Sequence, residues 1–262
     1  MLRKALRRLP AVLVVLCALA GGAYAVDQLL LSDGDDDESV ASAPLRVRVL
    51  APGSFESAHP YAPYYVVPRS RVRDPSELSR QARNKIMSQP ASALSKGALA
   101  GSPQIVRLAL RSTAEDPVTV EAVRFHVASR ARPLRGWFTA LSGCQAKPVR
   151  RAQADFDARR SPVRYVSSGG VVSRNLALEV APRQQQVIEL RAATARNRVA
   201  WTAELSVRDR GGHTSTVIVS DGGKPFRVTS ARSSRGYEPV YGATAITSFK
   251  RSRALARGGS SC

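Results

Sequence analysis

The stretch VAWTAELSVRDRGGHTSTVIV, Val199 to Val219, decides the fold. In its first half Val199, Trp201, Ala203, Leu205 and Val207 fall on every second position, with Thr202, Glu204 and Ser206 between them. A period of two puts alternate side chains on opposite faces, the mark of a half-buried strand. Gly211-Gly212 then supplies a turn, and His213 to Val219 forms a second strand. Asp221-Gly222-Gly223 turns again into Phe226-Arg227-Val228-Thr229. Strands joined by glycine-rich turns predict antiparallel hairpins.

The same pattern extends towards the N-terminus. Ile105 to Leu110 and Val118 to Val127 read as strands, parted by Ala114-Glu115-Asp116-Pro117. Leu176 to Val180 and Val187 to Arg191 read as two more. No helical segment alternates with these strands, which argues against a parallel sheet. The expected fold is mainly β: an immunoglobulin-like antiparallel sandwich with its core at about 104–229. Its expected core residues are Leu108, Leu110, Val123, Phe125, Leu178, Ile188, Trp201, Leu205, Val207, Val217 and Val219.

Between residues 45 and 104 the signals are mixed. Leu45 to Leu50 alternates apolar and basic residues and adds a strand. Pro52 to Pro68 carries four prolines and reads as a surface loop, with His59, Tyr61, Tyr64 and Tyr65. Asp74-Pro75-Ser76-Glu77 has the residues of a helix start, and the helix is expected to run to about Ser88 with Leu78, Ala82 and Ile86 on one side. Two basic stretches complete the chain. Lys147 to Ser173 reads as a loop holding Arg150, Arg151, Arg159, Arg160 and Arg164. Residues 230–262 are rich in Ser, Arg and Gly and read as a disordered basic tail.

The N-terminus sets an expectation of topology. Residues 1–8 hold Arg3, Lys4, Arg7 and Arg8, residues 9–31 are apolar apart from Asp27 and Gln28, and 32–44 form an acidic linker. Basic before and acidic after predicts a cytoplasmic N-terminus with the rest outside. Leu9 to Leu31 is long enough to span a bilayer as an anchor, which makes the lipid bilayer a partner. Ala23-Tyr24-Ala25 also fits a signal-peptide cut, so secretion after cleavage at Ala25 is the alternative.

Of the 262 residues, 40 are Lys or Arg and 20 are Asp or Glu, a formal net charge of +20. From Leu45 onward the balance is about +22. Such a surface calls for a neutral or anionic partner. The excess of Arg, beside abundant Ala, Val and Gly, also matches the coding bias of a GC-rich genome. Outside a cell the available polyanions are wall polymers and lipid headgroups. Motifs of the nucleic-acid-binding classes are not visible, so no nucleic-acid partner is expected. Arg150, Arg151, Arg159, Arg160 and Arg164 are the candidate polyanion-binding residues.

Enzyme chemistry finds little footing. Leu141-Ser142-Gly143-Cys144 faintly resembles the thiol context of cell-wall transpeptidases, but no motif sets a His and an Arg around Cys144. There is no G-x-S-x-G elbow, and the histidines are His59, His126 and His213 alone. No Cys or His pair has metal-ligand spacing, and no glycine-rich stretch follows a strand and opens a helix as a phosphate loop does. Cys17 lies in the apolar segment, so Cys144 and Cys262 can form one disulfide at most. No catalytic residue, metal, cofactor or small-molecule substrate is expected. The function expected is a non-enzymatic envelope module for a protein or an anionic polymer. A structural or sensory subunit of a membrane complex is the alternative, and a cell-wall enzyme using Cys144 ranks below both.

Trp201, Glu204-Leu205, Gly211-Gly212, Thr216-Val217 and Asp221-Gly222-Gly223-Lys224-Pro225-Phe226 together resemble the late hairpin of a family of uncharacterised actinobacterial membrane-anchored proteins. The likeness covers about 30 residues firmly and Gln104 to Thr229 loosely. It implies one apolar helix and an all-β extracytoplasmic domain, and it implies no activity. That family pairs a Gly-Cys cysteine with one just before the Trp. This chain has Asn197-Arg198 there, which implies that Cys144 lacks that bridge.

Overall fold

The computed structural model describes residues 44–50, 64–88, 93–94, 96–140, 149–158, 162–242 and 246–252. The apolar segment 9–31, nearly all of the linker 32–44, His59 and the three cysteines lie outside them. No helix of the described residues is long and apolar enough to cross a membrane.

The chain is mainly β. In order, the strands are β1 (Leu45–Leu50), β2 (Tyr64–Pro68), β3 (Leu99–Gly101), β4 (Gln104–Ser112), β5 (Val118–Ala131), β6 (Gly136–Ala140), β7 (Arg150–Asp155) and β8 (Arg164–Val166). Then come β9 (Val172–Ser173), β10 (Leu178–Val180), β11 (Gln185–Ala193), β12 (Arg198–Arg208), β13 (Thr214–Val219), β14 (Phe226–Thr229), β15 (Arg235–Tyr241) and β16 (Ile246–Arg251). A six-stranded sheet has the order β1-β4-β11-β7-β8-β9. A ten-stranded sheet runs β10-β5-β12-β14-β3-β2-β6-β15-β16, with β13 also on β12.

The 199–219 stretch behaves as its period dictates. Val199, Trp201, Ala203, Leu205 and Val207 are all fully buried along β12. One edge of β12 is covered over its whole length by β5. The other edge is shared: β14 pairs with Arg198 to Trp201, and β13 with Ala203 to Arg208. Trp201 lies at the centre of the main core, with ring centroids 4.8 Å from Phe226, 5.2 Å from Phe125 and 6.1 Å from Phe156. Its indole Nε1 donates to Gln104 Oε1 at 2.9 Å. Gln104 stands on the other sheet, so this bond ties the two sheets across the core. Both sheets feed one hydrophobic cluster: Val106, Leu108, Leu110, Ile188 and Leu190 from one, and the β5, β12 and β14 residues from the other. That arrangement is consistent with a β-sandwich. The expected core residues are buried there, except that Phe125 and Val217 are only partly covered.

A second cluster lies where the larger sheet continues past β14. Tyr65, Val67, Ala100, Trp137 and Tyr237 from four strands meet Val72 and Ile86, with Leu78 and Phe249 packed against them. Ile86 belongs to helix α1 (Arg80–Ser88). Residues 74–88 therefore do not form one continuous helix. Asp74 caps a 3-10 turn at Pro75–Glu77 through Ser76 N–H, and α1 starts afresh where the Ser79 hydroxyl accepts from Ala82 N–H at 3.2 Å. Strand pairing leaves little space in this part of the sheet. A Cβ on Gly136 would lie 1.9 Å from the Val67 carbonyl oxygen, and one on Gly101 would lie 1.9 Å from the Tyr64 ring.

Four expectations are corrected. The sheets are not purely antiparallel: β7 runs parallel to β11, β3 to β14 and β6 to β15. Each of these pairs joins segments far apart in sequence, so no tight turn imposes direction. The 147–173 stretch is not a loop throughout, because it contains β7, β8 and β9. The inward positions of β7 are Ala152 and Ala154, too small to register as a hydrophobic alternation. Residues 230–262 are not disordered as a whole. Arg235–Tyr241 and Ile246–Arg251 pair as the antiparallel strands β15 and β16, anchored by Tyr237 and Phe249 around Trp137. The proline-rich stretch ends in a strand, since Tyr64–Pro68 pairs with β6 and part of it with β3.

Candidate anion-binding surfaces

The outward face of the six-stranded sheet follows from register. Val106, Leu108 and Leu110 of β4 face the core, so Arg107, Ala109 and Arg111 face away from it. Cross-strand partners share a face. Leu50 and Glu189 therefore flank Arg107, Arg48 flanks Ala109, and Arg46 and Gln185 flank Arg111. On the far side Arg151 lies opposite Glu189, and Gln153 lies between Arg191 and Arg164. One face of one sheet thus carries Arg46, Arg48, Arg107, Arg111, Arg151, Arg164 and Arg191. Its acids are Glu189 and, at the end of β7, Asp155.

Glu189 is already committed. Its Oε1 accepts from Arg107 Nη2 at 2.7 Å and from Nε at 3.0 Å, and its Oε2 accepts from Arg151 Nε at 2.8 Å. The Glu189 side chain is 2% exposed and that of Arg107 6%. A buried carboxylate between two guanidiniums keeps neither of them as an uncompensated buried charge. The pair at the other end of the shared β1–β4 ladder is different. Arg46 stands directly opposite Arg111, and like charges in that position repel. Burial and the neighbouring Arg151 cation both lower the Arg191 pKa, and Glu189 only partly offsets them. Arg46, Arg111 and Arg164 are exposed and take part in no ion pair among the described residues.

Of the five arginines marked from sequence, Arg151 and Arg164 lie on this face. Arg150 does not: it is exposed at the start of β7, in register with the inward Ile188. Arg159 and Arg160 lie outside the described residues. Sequence reasoning missed Arg46, Arg48, Arg107, Arg111 and Arg191. The available signal was the apolar–basic alternation of 45–50, which placed basic residues on one face of a strand without saying which other strands shared it.

His126 and His213 sit elsewhere. His126 Nε2 lies 2.9 Å from Glu204 Oε2, while Arg124 Nη1 donates to Glu204 Oε1 at 2.9 Å. The Arg124 hydrogen bond, with His126 adding to it, holds the Glu204 carboxyl below the usual range. His213 pairs with Asp209 at 3.2 Å beside the Gly211-Gly212 turn. Both pairs stand on exposed surface. Among the described residues no group of three or more His, Cys, Asp and Glu could hold a metal ion.

A cleft of about 230 Å³ opens at one end of the larger sheet, lined by Arg69, Arg73, Arg135, Gly136, Trp137, Ser233, Arg235 and Tyr237. Neither His126 nor His213 lines it. No family model, curated protein or solved structure matches the chain.

Proposed function

We propose that the protein is a non-enzymatic module of the cell envelope that holds an anionic polymer against the outward face of its six-stranded sheet. The observation that carries this reading is the Arg46–Arg111 pairing towards one end of the face and Arg164 with Arg191 towards the other, the central acid between them being consumed by Arg107 and Arg151. An extended polyanion laid across the strands relieves that repulsion, and guanidinium forks suit phosphate or carboxylate groups. Exposed arginines spread over a sheet face suit a polymer better than a small substrate, which needs a concave site. In this reading the β domain is an immunoglobulin-like sandwich outside the cell, and the apolar segment 9–31 holds it to the bilayer. The basic start and acidic linker around that segment support this orientation.

Pull-down of the full-length protein on purified anionic wall polymer tests the proposal. Retention at low salt and release at high salt is expected, because exposed charge contacts are screened within a Debye length of about 10 Å at 0.1 M. No retention, or retention indifferent to salt, contradicts it.

A further inference from the structure

The cleft at the end of the larger sheet is a second, separate basic site, and strand direction explains its composition. β2 runs antiparallel to β6, and β15 runs parallel to β6. The C-terminal end of β2 and the N-terminal ends of β6 and β15 therefore meet at one edge. An arginine stands at each of those ends: Arg69 just after β2, Arg135 just before β6, and Arg235 opening β15. Arg69 N–H donates to the Arg135 carbonyl at 3.1 Å, which fixes two of them side by side. A turn closed by Arg71 N–H on the Pro68 carbonyl at 2.9 Å brings in the fourth, Arg73.

No carboxylate among the described residues lines this cleft. Asp74, next in sequence to Arg73, is engaged: its Oδ1 accepts from Ser76 N–H and hydroxyl, and its Oδ2 accepts from the Tyr237 hydroxyl at 2.9 Å. None of the four arginines forms an ion pair among the described residues, although Arg235 lies beside Asp74 and Tyr237. The wall adds a second observation. Trp137 lines the cleft, is 2% exposed, and its Nε1 has no hydrogen-bond partner among the described residues. An indole N–H in a buried position ordinarily finds an acceptor. Four cations around a small concavity, with no carboxylate among its described lining residues, call for a compact ligand of at least two negative charges and many acceptor oxygens.

We infer that this cleft binds a phosphate group, either free or as a phosphomonoester. A tetrahedral dianion presents acceptors in several directions at once and suits guanidiniums arriving from three strand ends and a turn. A carboxylate offers one plane and one charge. The cleft's volume leaves space beyond the phosphate for a small organic substituent.

Calorimetric titration of the purified full-length protein with inorganic phosphate, and in parallel with methyl phosphate, tests the site at about 0.15 M NaCl. Saturable binding of both is expected, with acetate at least about tenfold weaker. Saturation by inorganic phosphate but not by methyl phosphate assigns the site to the free ion and upholds the proposal. Arg69→Gln with Arg135→Gln should weaken phosphate by at least about tenfold, as should Arg73→Gln with Arg235→Gln. All four are exposed, so both double variants should keep the wild-type melting temperature. The triple variant Arg46→Gln, Arg111→Gln, Arg164→Gln should leave phosphate affinity unchanged, so loss of polymer binding and loss of this site are read separately. Non-saturable heats, equal affinity for acetate, or double variants that bind like the wild type overturn the proposal.

Discussion

Arg151 meets Glu189 across two parallel strands, with Nε 2.8 Å from Oε2, on a carboxylate whose other oxygen Arg107 already holds. The contact lies on the outward face of a sheet, yet Glu189 is almost inaccessible. Removing the acid should therefore act as the breaking of a buried pair. Glu189→Gln leaves Arg107 buried without its counter-charge and should cost about 3–5 kcal/mol. The measurement is the urea midpoint at unchanged slope. Arg107→Met combined with Glu189→Leu should cost less than Glu189→Gln alone, because the most buried cation leaves with the acid.

The bond between Trp201 and Gln104 makes a second prediction. Gln104→Leu strands an indole N–H in the main core and should cost about 1–3 kcal/mol. Trp201→Ala removes the ring that touches Phe125, Phe156 and Phe226 and should cost about 3–5 kcal/mol. In a Trp201→Phe background the cost of Gln104→Leu should shrink, since no N–H remains to be stranded. A double-mutant cycle by chemical denaturation measures that coupling.

Gly136 tests how closely β2 and β6 must approach. A methyl group there would sit 1.9 Å from the Val67 carbonyl oxygen, a backbone atom that cannot swing aside. Gly136→Ala should cost about 3 kcal/mol, at the upper end for overpacking. It should also weaken phosphate binding in the cleft, because Arg69 and Arg135 flank the strands it forces apart.

Tyr64 sets a pH dependence. Its hydroxyl donates to the Ser102 carbonyl at 2.8 Å, and burial pushes its pKa up to about 12. An unfolded tyrosine loses its proton near 10, so the folded state holds the proton more tightly. The contribution is complete below about pH 10 and is lost as pH rises towards about 12. Burial shifts Tyr65 in the same direction. Denaturation midpoints taken from about pH 9 to pH 11 should fall for the wild type and fall less for Tyr64→Phe.

The sequence disclosed those strands whose alternation uses large side chains. β12, with Trp201 and Leu205 on its inward side, was legible residue by residue. β7 was not, because its inward positions are alanines. β15 and β16 were hidden because Tyr237 and Phe249 find their partner, Trp137, about a hundred residues away. The basic face shows the same limit. Read along the chain, Arg151 and Arg164 belong to a loop cluster, but they matter because they share one sheet face with Arg46, Arg111 and Arg191. Only strand order and register bring those residues together, and neither can be read from local pattern. The cleft depends on the relative direction of β2, β6 and β15, which no hairpin signal encodes.

The central claim is that the outward arginines of the six-stranded sheet hold an anionic polymer. Its most direct test is the affinity of the full-length protein for poly(glycerol phosphate), measured over a salt series beside the Arg46→Gln, Arg111→Gln, Arg164→Gln variant. Wild-type affinity should fall steadily as salt rises, and the variant should bind at least about tenfold more weakly at low salt while keeping its melting temperature. A variant that binds as tightly as the wild type, or a wild-type affinity that ignores salt, would contradict the claim.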